Sequence, residues 1–120
     1  MEVSKNLEVT GSGTFSGDVI AFSSSDIKYK ENLNIISSPL DKVGMLTGYT
    51  YTWKDNSPEW CESGSLDTGV IAQDVDKLGL PGITTTRDDG DVAVYYPKII
   101  PVLIEAIKEL TAKVTALENK

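Results

Sequence analysis

The sequence predicts an α+β fold, in which a small mixed domain carries a long C-terminal helix and follows a short β-rich segment. Two patterns lead to this prediction. Near the end of the chain, apolar residues recur every three or four positions, as they do along one side of an α-helix. In the middle, short runs that alternate between aromatic and polar residues indicate strands. The 120 residues have room for one domain that buries only about two-thirds of its unfolded surface, so oligomerisation would be a natural supplement.

Residues 1–24 form the β-rich segment. Their short apolar runs are separated by turns rich in glycine and serine, Gly11–Gly13 and Ser16–Asp18, which suggests repetitive β-structure. Because so small a piece cannot close a core, we interpret it as the end of something longer or as a partner in an oligomer. The polar run Ser23–Asp26 marks the predicted boundary with a domain over residues 25–120. The apolar residues of the segment are Leu7, Val9, Phe15, Val19, Ile20 and Phe22.

The next elements are a helix and a strand. Pro39 suits the first turn of a helix, with Ser37 or Ser38 as its N-cap, and Gly48 is expected to end it. Tyr49–Trp53 alternates aromatic and threonine side chains, which is the period of a strand with one buried face.

A polar loop follows, and then a second helix and a hairpin are expected. The apolar residues within Gly69–Leu78 have helical spacing. Arg87–Asp91 is predicted to be the turn between the strands Ile83–Thr86 and Val92–Tyr95, because its Asp-Gly pair supplies the positive φ that a tight hairpin needs.

The C-terminal helix, expected over about residues 97–118, carries a heptad stripe. An ordinary amphipathic helix on the domain's own core would also be apolar on one side. The stripe, however, continues to within three residues of the chain end, past any domain left to cover it. Ile or Val at one core position with Leu at the other favours a parallel dimer by the simple rule. We name this stripe the seam, and it consists of Ile100, Leu103, Ile107, Leu110, Val114 and Leu117.

The composition excludes several classes of function. The chain has 18 acidic and 11 basic residues and a net charge of -7, which argues against nucleic acid or an anionic membrane surface as a partner. No apolar run approaches the roughly 20 residues of a membrane span, and the first ten residues lack the apolar stretch of a signal peptide. With no histidine and one cysteine, Cys61, there is no imidazole base, internal disulfide or zinc-cysteine cluster, and we expect no metal or other cofactor.

Catalysis without histidine must use Ser, Lys, Tyr or carboxylates, and the pattern that stands out is Ser25 followed by Lys30. In a Ser-Lys dyad a neutral lysine amine removes the serine proton, which requires burial to lower the pKa of a lysine from about 10.4. The spacing is common, however, and Ser25-Asp26 is also a good helix cap or turn. Cys61 is expected to be a partly buried small residue, and a solvated turn is favoured over a calcium site for Asp88, Asp89 and Asp91.

Several motifs follow one another in order across residues 25–120, namely Ser25–Leu33, Gly48–Trp53, Gly69–Val75, Val94–Tyr96 and Ile104–Leu110. Together they resemble the peptidase S74 family, the C-terminal intramolecular chaperone and autoprocessing domains of bacteriophage tail spikes, tail fibres and neck appendages. Residues 1–24 resemble the last turn of a fibre stalk.

The resemblance implies a homotrimer. In that family three chaperone domains associate through C-terminal helices, align the upstream β-rich stalks so that they fold as an interlocked trimer, and are then released by self-cleavage before the motif serine. It therefore implies a trimeric helical bundle or coiled coil, with a β-stalk remnant at residues 1–24 as the client. It also implies a virion fibre or spike precursor that folds in the host cytoplasm and loses its chaperone part after cleavage.

The resemblance also assigns roles to residues of the first motif. Ser25 would be the nucleophile, Lys30 the general base, and Ser24–Ser25 the scissile bond. Asp26 and Lys28 fall at intermediate polar positions, where they would help with orientation or oxyanion charge. Lys28 stands where the family often has arginine, whose planar fork of donors a lysine cannot offer, and the next residue is tyrosine where leucine is frequent.

Two other functions stay open at this level. The chain could be a permanent structural or receptor-binding tip of a fibre that trimerises but never cuts. A general peptidase acting on other proteins is disfavoured, since nothing in the sequence resembles a substrate cleft.

Overall fold

Seven helices and strands follow one another along the chain, which the computed structural model describes over all 120 residues. The prediction of a mixed α+β domain with a long C-terminal helix is confirmed. Two short 3-10 turns, Ile27–Tyr29 and Tyr96–Ile99, accompany these elements. In chain order the elements are α1 (Pro39–Gly44), β1 (Tyr49–Thr52), β2 (Leu66–Gly69), α2 (Ala72–Asp76), β3 (Thr84–Thr86), β4 (Val92–Val94) and α3 (Ile100–Glu118).

The chain divides into two units. The first comprises Met1–Asn32 and Thr52–Ser65, and the second comprises Leu33–Tyr51 and Leu66–Lys120. The predicted domain boundary between residues 24 and 25 stays a prediction. None of the helices combines the length and the apolar character that crossing a membrane requires.

Residues 1–24 contain no strand, so the predicted short β-elements are wrong for the single chain. Their large apolar side chains are exposed, Phe15 to 70% and Phe22 to 95%. A strand is stable only when a neighbour pairs with its backbone groups and its apolar face is covered. The single chain supplies neither, and the segment runs without regular structure.

The first helix begins as predicted and ends early. Ser38 occupies the N-cap position before Pro39, but its backbone is left-handed (φ 47°) and its side chain makes no capping hydrogen bond. The predicted serine cap is therefore wrong in its chemistry. The helix ends at Gly44 rather than at Gly48, because the next N–H groups, those of Met45 and Leu46, bond three residues back and close the last turn.

The sequence pattern does not indicate the strand β2 and predicts a helix that begins at Gly69 instead. In the structure β2 pairs with β1 in a two-stranded sheet, and α2 starts three residues later, at Ala72. The hydroxyl of Tyr96 accepts a hydrogen bond of 3.1 Å from the Val70 N–H, and a side chain at Gly69 would collide with that hydroxyl. These two contacts hold the chain extended where helical spacing predicted a helix.

The predicted hairpin is confirmed. Thr84, Thr85 and Thr86 of β3 pair antiparallel with the three residues of β4. The turn between the strands closes through an Arg87 N–H bond to the Asp91 carbonyl, and Gly90 takes the positive φ of 90°.

The core of the second unit lies where α2, the hairpin and the turn before α3 meet. Its buried members are Val75, Leu78, Ile83 and Ile99, with Leu46, Val70, Leu80 and Val94 packed around them. The helix α3 follows directly from this core and packs mainly against α1, and its residues from Thr111 onward are exposed.

Candidate functional site

The Ser25–Lys30 pair is built on a 3-10 turn in which Asp26 accepts the first two hydrogen bonds. One carboxylate oxygen of Asp26 accepts from the Lys28 N–H at 3.0 Å, and its backbone carbonyl accepts from the Tyr29 N–H at 3.1 Å. The Lys30 N–H then donates to the Ile27 carbonyl at 3.0 Å. A side-chain oxygen at the N-cap satisfies a donor that the short turn cannot satisfy itself. The turn reverses the chain and returns Lys30 toward Ser25.

The side chains of Ser25 and Lys30 are in direct contact. The Lys30 amine Nζ donates a hydrogen bond of 2.6 Å to the Ser25 hydroxyl Oγ. This distance falls in the range required between a nucleophile and its general base. In the ammonium form the amine donates, and once neutral it can accept the hydroxyl proton along the same line.

A cleft of about 210 Å³ surrounds the pair, and the two residues flanking the Ser24–Ser25 peptide form part of its wall. Every residue that lines it is exposed in the single chain. Water therefore reaches both members of the pair. The lining residues are Ser24, Ser25, Asp26, Tyr29 and Lys30.

Lys28 is placed differently from the other predicted site residues. Its amine lies 5.2 Å from the centre of the Tyr29 ring, in a cation-π arrangement. The structure thus brings Ser24, Ser25, Asp26 and Lys30 around one cleft, whereas the Lys28 amine lies on the ring of a cleft residue.

The seam is exposed along its whole length, from 41% at Leu103 to 64% at Leu117. The residues of α3 that pack on the domain are different ones, Val102 at 0% and Ala106 at 5% exposure. The helix therefore has two apolar faces, and the seam does not cover the core of this chain. Ile104, which is 51% exposed, adds a further exposed apolar side chain next to the seam near the start of the helix.

Sequence reasoning missed Glu109. Its carboxylate oxygen Oε2 accepts a hydrogen bond of 3.1 Å from the Leu40 N–H in the first turn of α1. The contact joins residues 69 positions apart, so no local pattern could have indicated it.

The remaining sequence candidates are outside the cleft. Asp89 accepts from the Asp91 N–H at 2.9 Å and so serves the hairpin turn. No group of three or more carboxylate or thiol side chains is arranged to hold a metal ion. Cys61 is a half-buried free thiol.

Comparison with known proteins identifies the first motif independently. Residues 25–83 match the family model of the peptidase S74 domain, described as the chaperone of endosialidase. The chain is also 32% identical over 101 residues, 80% of its length, to the long tail fiber protein Gp37 of Enterobacteria phage K3 and to that of Enterobacteria phage T2. It spans only 8% and 7% of the lengths of these relatives. The matched part of the chain, residues 25–83, therefore belongs to the peptidase S74, or chaperone of endosialidase, family.

Proposed function

We propose that this chain is an intramolecular chaperone of a phage tail fibre, which trimerises through α3, aligns the upstream stalk and then releases itself by cutting between Ser24 and Ser25. The family match and the tail fibre relatives support the chaperone role. The contact of 2.6 Å between Lys30 Nζ and Ser25 Oγ, at the start of the matched region, is the observation that carries the proposed cut.

The proposed chemistry begins with proton transfer from the Ser25 hydroxyl to neutral Lys30. The Ser25 oxygen attacks the carbonyl carbon of Ser24, and the five-membered ring that forms contains the scissile nitrogen, because this nitrogen belongs to Ser25 itself. The C–N bond breaks as Lys30 returns the proton to the leaving amine. An ester then joins the Ser24 carbonyl to the Ser25 oxygen.

Water completes the reaction. It adds to the ester carbonyl, its hydroxyl stays on Ser24 as a new carboxyl group, and a proton returns to the Ser25 oxygen. The products are residues 1–24 with a free carboxylate and residues 25–120 with a free amine. Asp26 positions the pair through the turn that it caps, and Lys28 holds the Tyr29 ring at the cleft.

The seam is the proposed trimer contact. Its six large apolar side chains are exposed in the single chain, and a helix with such a stripe gains stability by packing against its copies. A β-rich stalk forms through non-local pairing between chains, which is slow and prone to aggregation. A helical seam that assembles first brings three stalks into register and lowers the entropy cost of that pairing.

Assembly would also activate the cut. A lysine can act as a general base only in its neutral form, and packing that removes the amine from water populates this form, because burial disfavours the ammonium form. Lys30 is exposed in the single chain, so in our proposal neighbouring copies cover it. Cleavage then follows correct assembly, and the fibre, part of the virion, stays in its folded form because the separated chaperone cannot easily reverse the process.

A non-cleaving trimerisation or receptor-binding tip of a fibre is the second candidate. The exposure of Ser25 and Lys30 favours it, because an exposed lysine lacks the burial that favours the neutral amine required for the cut. A general peptidase is disfavoured by the small cleft, whose walls are the residues of the cut itself.

Intact mass spectrometry of the natively purified and then denatured chain tests the proposal. Wild type should yield fragments 1–24 and 25–120, whereas Ser25→Ala and Lys30→Met should stay whole and the matched control Ser23→Ala should cleave. An uncut wild type that still forms trimers would establish the non-cleaving candidate instead. Cleavage in Ser25→Ala would exclude Ser25 as the nucleophile. Cleavage at equal rates above and below the concentration at which trimers form would exclude activation by assembly.

A further inference from the structure

The face of α3 that contacts its own domain ends at Glu109. Val102, Ala106, Glu109 and Lys113 are spaced four, three and four residues apart and so share one side of the helix. Val102 and Ala106 are buried, and Lys113 is largely exposed. Glu109 lies where this side passes from the domain to solvent, and its next neighbour in the chain is Leu110 of the seam.

The Glu109 carboxylate accepts a hydrogen bond at the N-terminus of α1. This helix has six residues, which is too short to be stable by itself, and its N-cap Ser38 makes no capping hydrogen bond. The backbone of Ser38 is also in the left-handed helical region, which the following proline disfavours. The Leu40 N–H, the kind of donor that a local cap would satisfy, bonds instead to Glu109 at 3.1 Å.

The two oxygens of Glu109 have different partners. Oε2 accepts from Leu40, whereas Oε1 lies 3.8 Å from the amine of Lys113, one turn further along α3. Lys113 of the same helix, α3, thus contacts one oxygen of Glu109 while the other oxygen caps α1.

We propose that Glu109 is a positioning residue that couples assembly of the seam to the placement of the chain that enters α1. That chain, Leu33–Ser38, begins three residues after Lys30 and ends at the N-cap of α1. Packing of Leu110 in the trimer would hold the α3 backbone around Glu109, and the capped first turn of α1 would transmit this order to Leu33–Ser38. The inference rests on the proposed trimer and does not require that the chain cleaves.

The test uses the full chain with Ser25→Ala, so that cleavage does not intervene. Native mass spectrometry follows assembly, and amide hydrogen exchange is measured below and above the assembling concentration. In this background Glu109→Ala should speed exchange of the Leu40 amide by about fivefold, the usual effect of losing a cap. Glu109→Gln keeps an acceptor oxygen and should preserve the slow exchange. Glu105→Ala, which removes a carboxylate one turn earlier on the same helix, is the matched control and should change nothing at Leu40.

The coupling has a second readout. On assembly, residues 33–38 should gain protection from exchange in the Ser25→Ala background and with Glu109→Gln, but not with Glu109→Ala, although all three assemble. Unchanged Leu40 exchange in Glu109→Ala would overturn the capping role. An equal gain of protection in Glu109→Ala trimers, or loss of assembly in that variant alone, would overturn the coupling. A chain that never assembles contradicts both this inference and the trimer, and the mass spectrum identifies that case.

Discussion

The amine of Lys30 lies 2.6 Å from the hydroxyl of Ser25 because a single turn, capped by the Asp26 carboxylate, folds the five-residue interval back on itself. Spacing in the sequence allowed this contact but did not require it. Since the cap is local, the geometry of the pair is expected to respond to changes at Asp26 without global unfolding.

Asp26→Ala should therefore slow self-cleavage. Loss of an N-cap costs about 1 kcal/mol, which is about a fivefold decrease in the population of the capped turn. Asp26→Asn retains an acceptor oxygen and should cleave faster than the alanine variant. The appearance of fragment 25–120 over time, followed by mass spectrometry, measures both rates. Asp18→Ala, an exposed carboxylate in the same unit, is the control, and a rate for Asp26→Ala equal to that of the control would show that the cap has no role.

Charge placed in the seam should weaken assembly. In the proposed trimer, Ile107→Asp or Leu110→Asp would bury a carboxylate among apolar side chains and weaken association by more than about tenfold. Both residues are exposed in the single chain, so the far-UV circular dichroism of the monomer should stay the same. Lys108→Asp, on the outer side of α3, introduces the same group and should leave the oligomer intact, as measured by sedimentation. If either seam variant formed trimers of normal stability, the seam would not be the contact between the copies.

Gly69 and Tyr96 should be coupled energetically. Tyr96→Phe removes the acceptor of the Val70 N–H and should lower the free energy of unfolding by about 1 kcal/mol. Gly69→Ala should cost about 1–3 kcal/mol, because its Cβ would collide with the Tyr96 hydroxyl. In the Tyr96→Phe background the obstructing oxygen is gone, and the same alanine should cost less. Denaturant unfolding of wild type, the two single variants and the double variant measures this double-mutant cycle, with Tyr95→Phe as the control. If the two losses of unfolding free energy were strictly additive, the predicted contact between residues 69 and 96 would be excluded.

Ile83 should carry a large share of the stability of the second unit. It is 1% exposed and sits among Val75, Leu78 and Ile99, so Ile83→Ala should cost about 2–5 kcal/mol. Ile35→Ala removes the same atoms from a side chain that is 82% exposed and should change stability by less than about 0.5 kcal/mol. Chemical denaturation compares the two variants, and equal losses of unfolding free energy would show that Ile83 is not part of the stabilising core.

Several elements could be predicted because their causes are local. Pro39 starts α1, the Asp-Gly pair turns the hairpin, and the seam repeats every 3.5 residues on average, so each leaves a signal within a few neighbouring positions. The order of the motifs likewise indicated the family. The candidate pair was found in this way too, since Ser25 and Lys30 belong to one short motif.

The remaining features depend on residues far apart in the chain. The strand β2 has no alternating pattern and exists because β1 pairs with it, and the free side of Gly69 is required only because Tyr96 arrives from 27 residues away. Periodicity could locate the seam but not the second face of α3, because Val102 and Ala106 are buried by their neighbours in the fold. The sequence by itself thus determined where α1 begins, where the hairpin turns and where the seam of α3 lies, through steric and hydrophobic periods that act over a few residues. Only tertiary structure decided which face of α3 is covered and which carboxylate caps α1, because burial and hydrogen bonding depend on which distant groups the fold brings together.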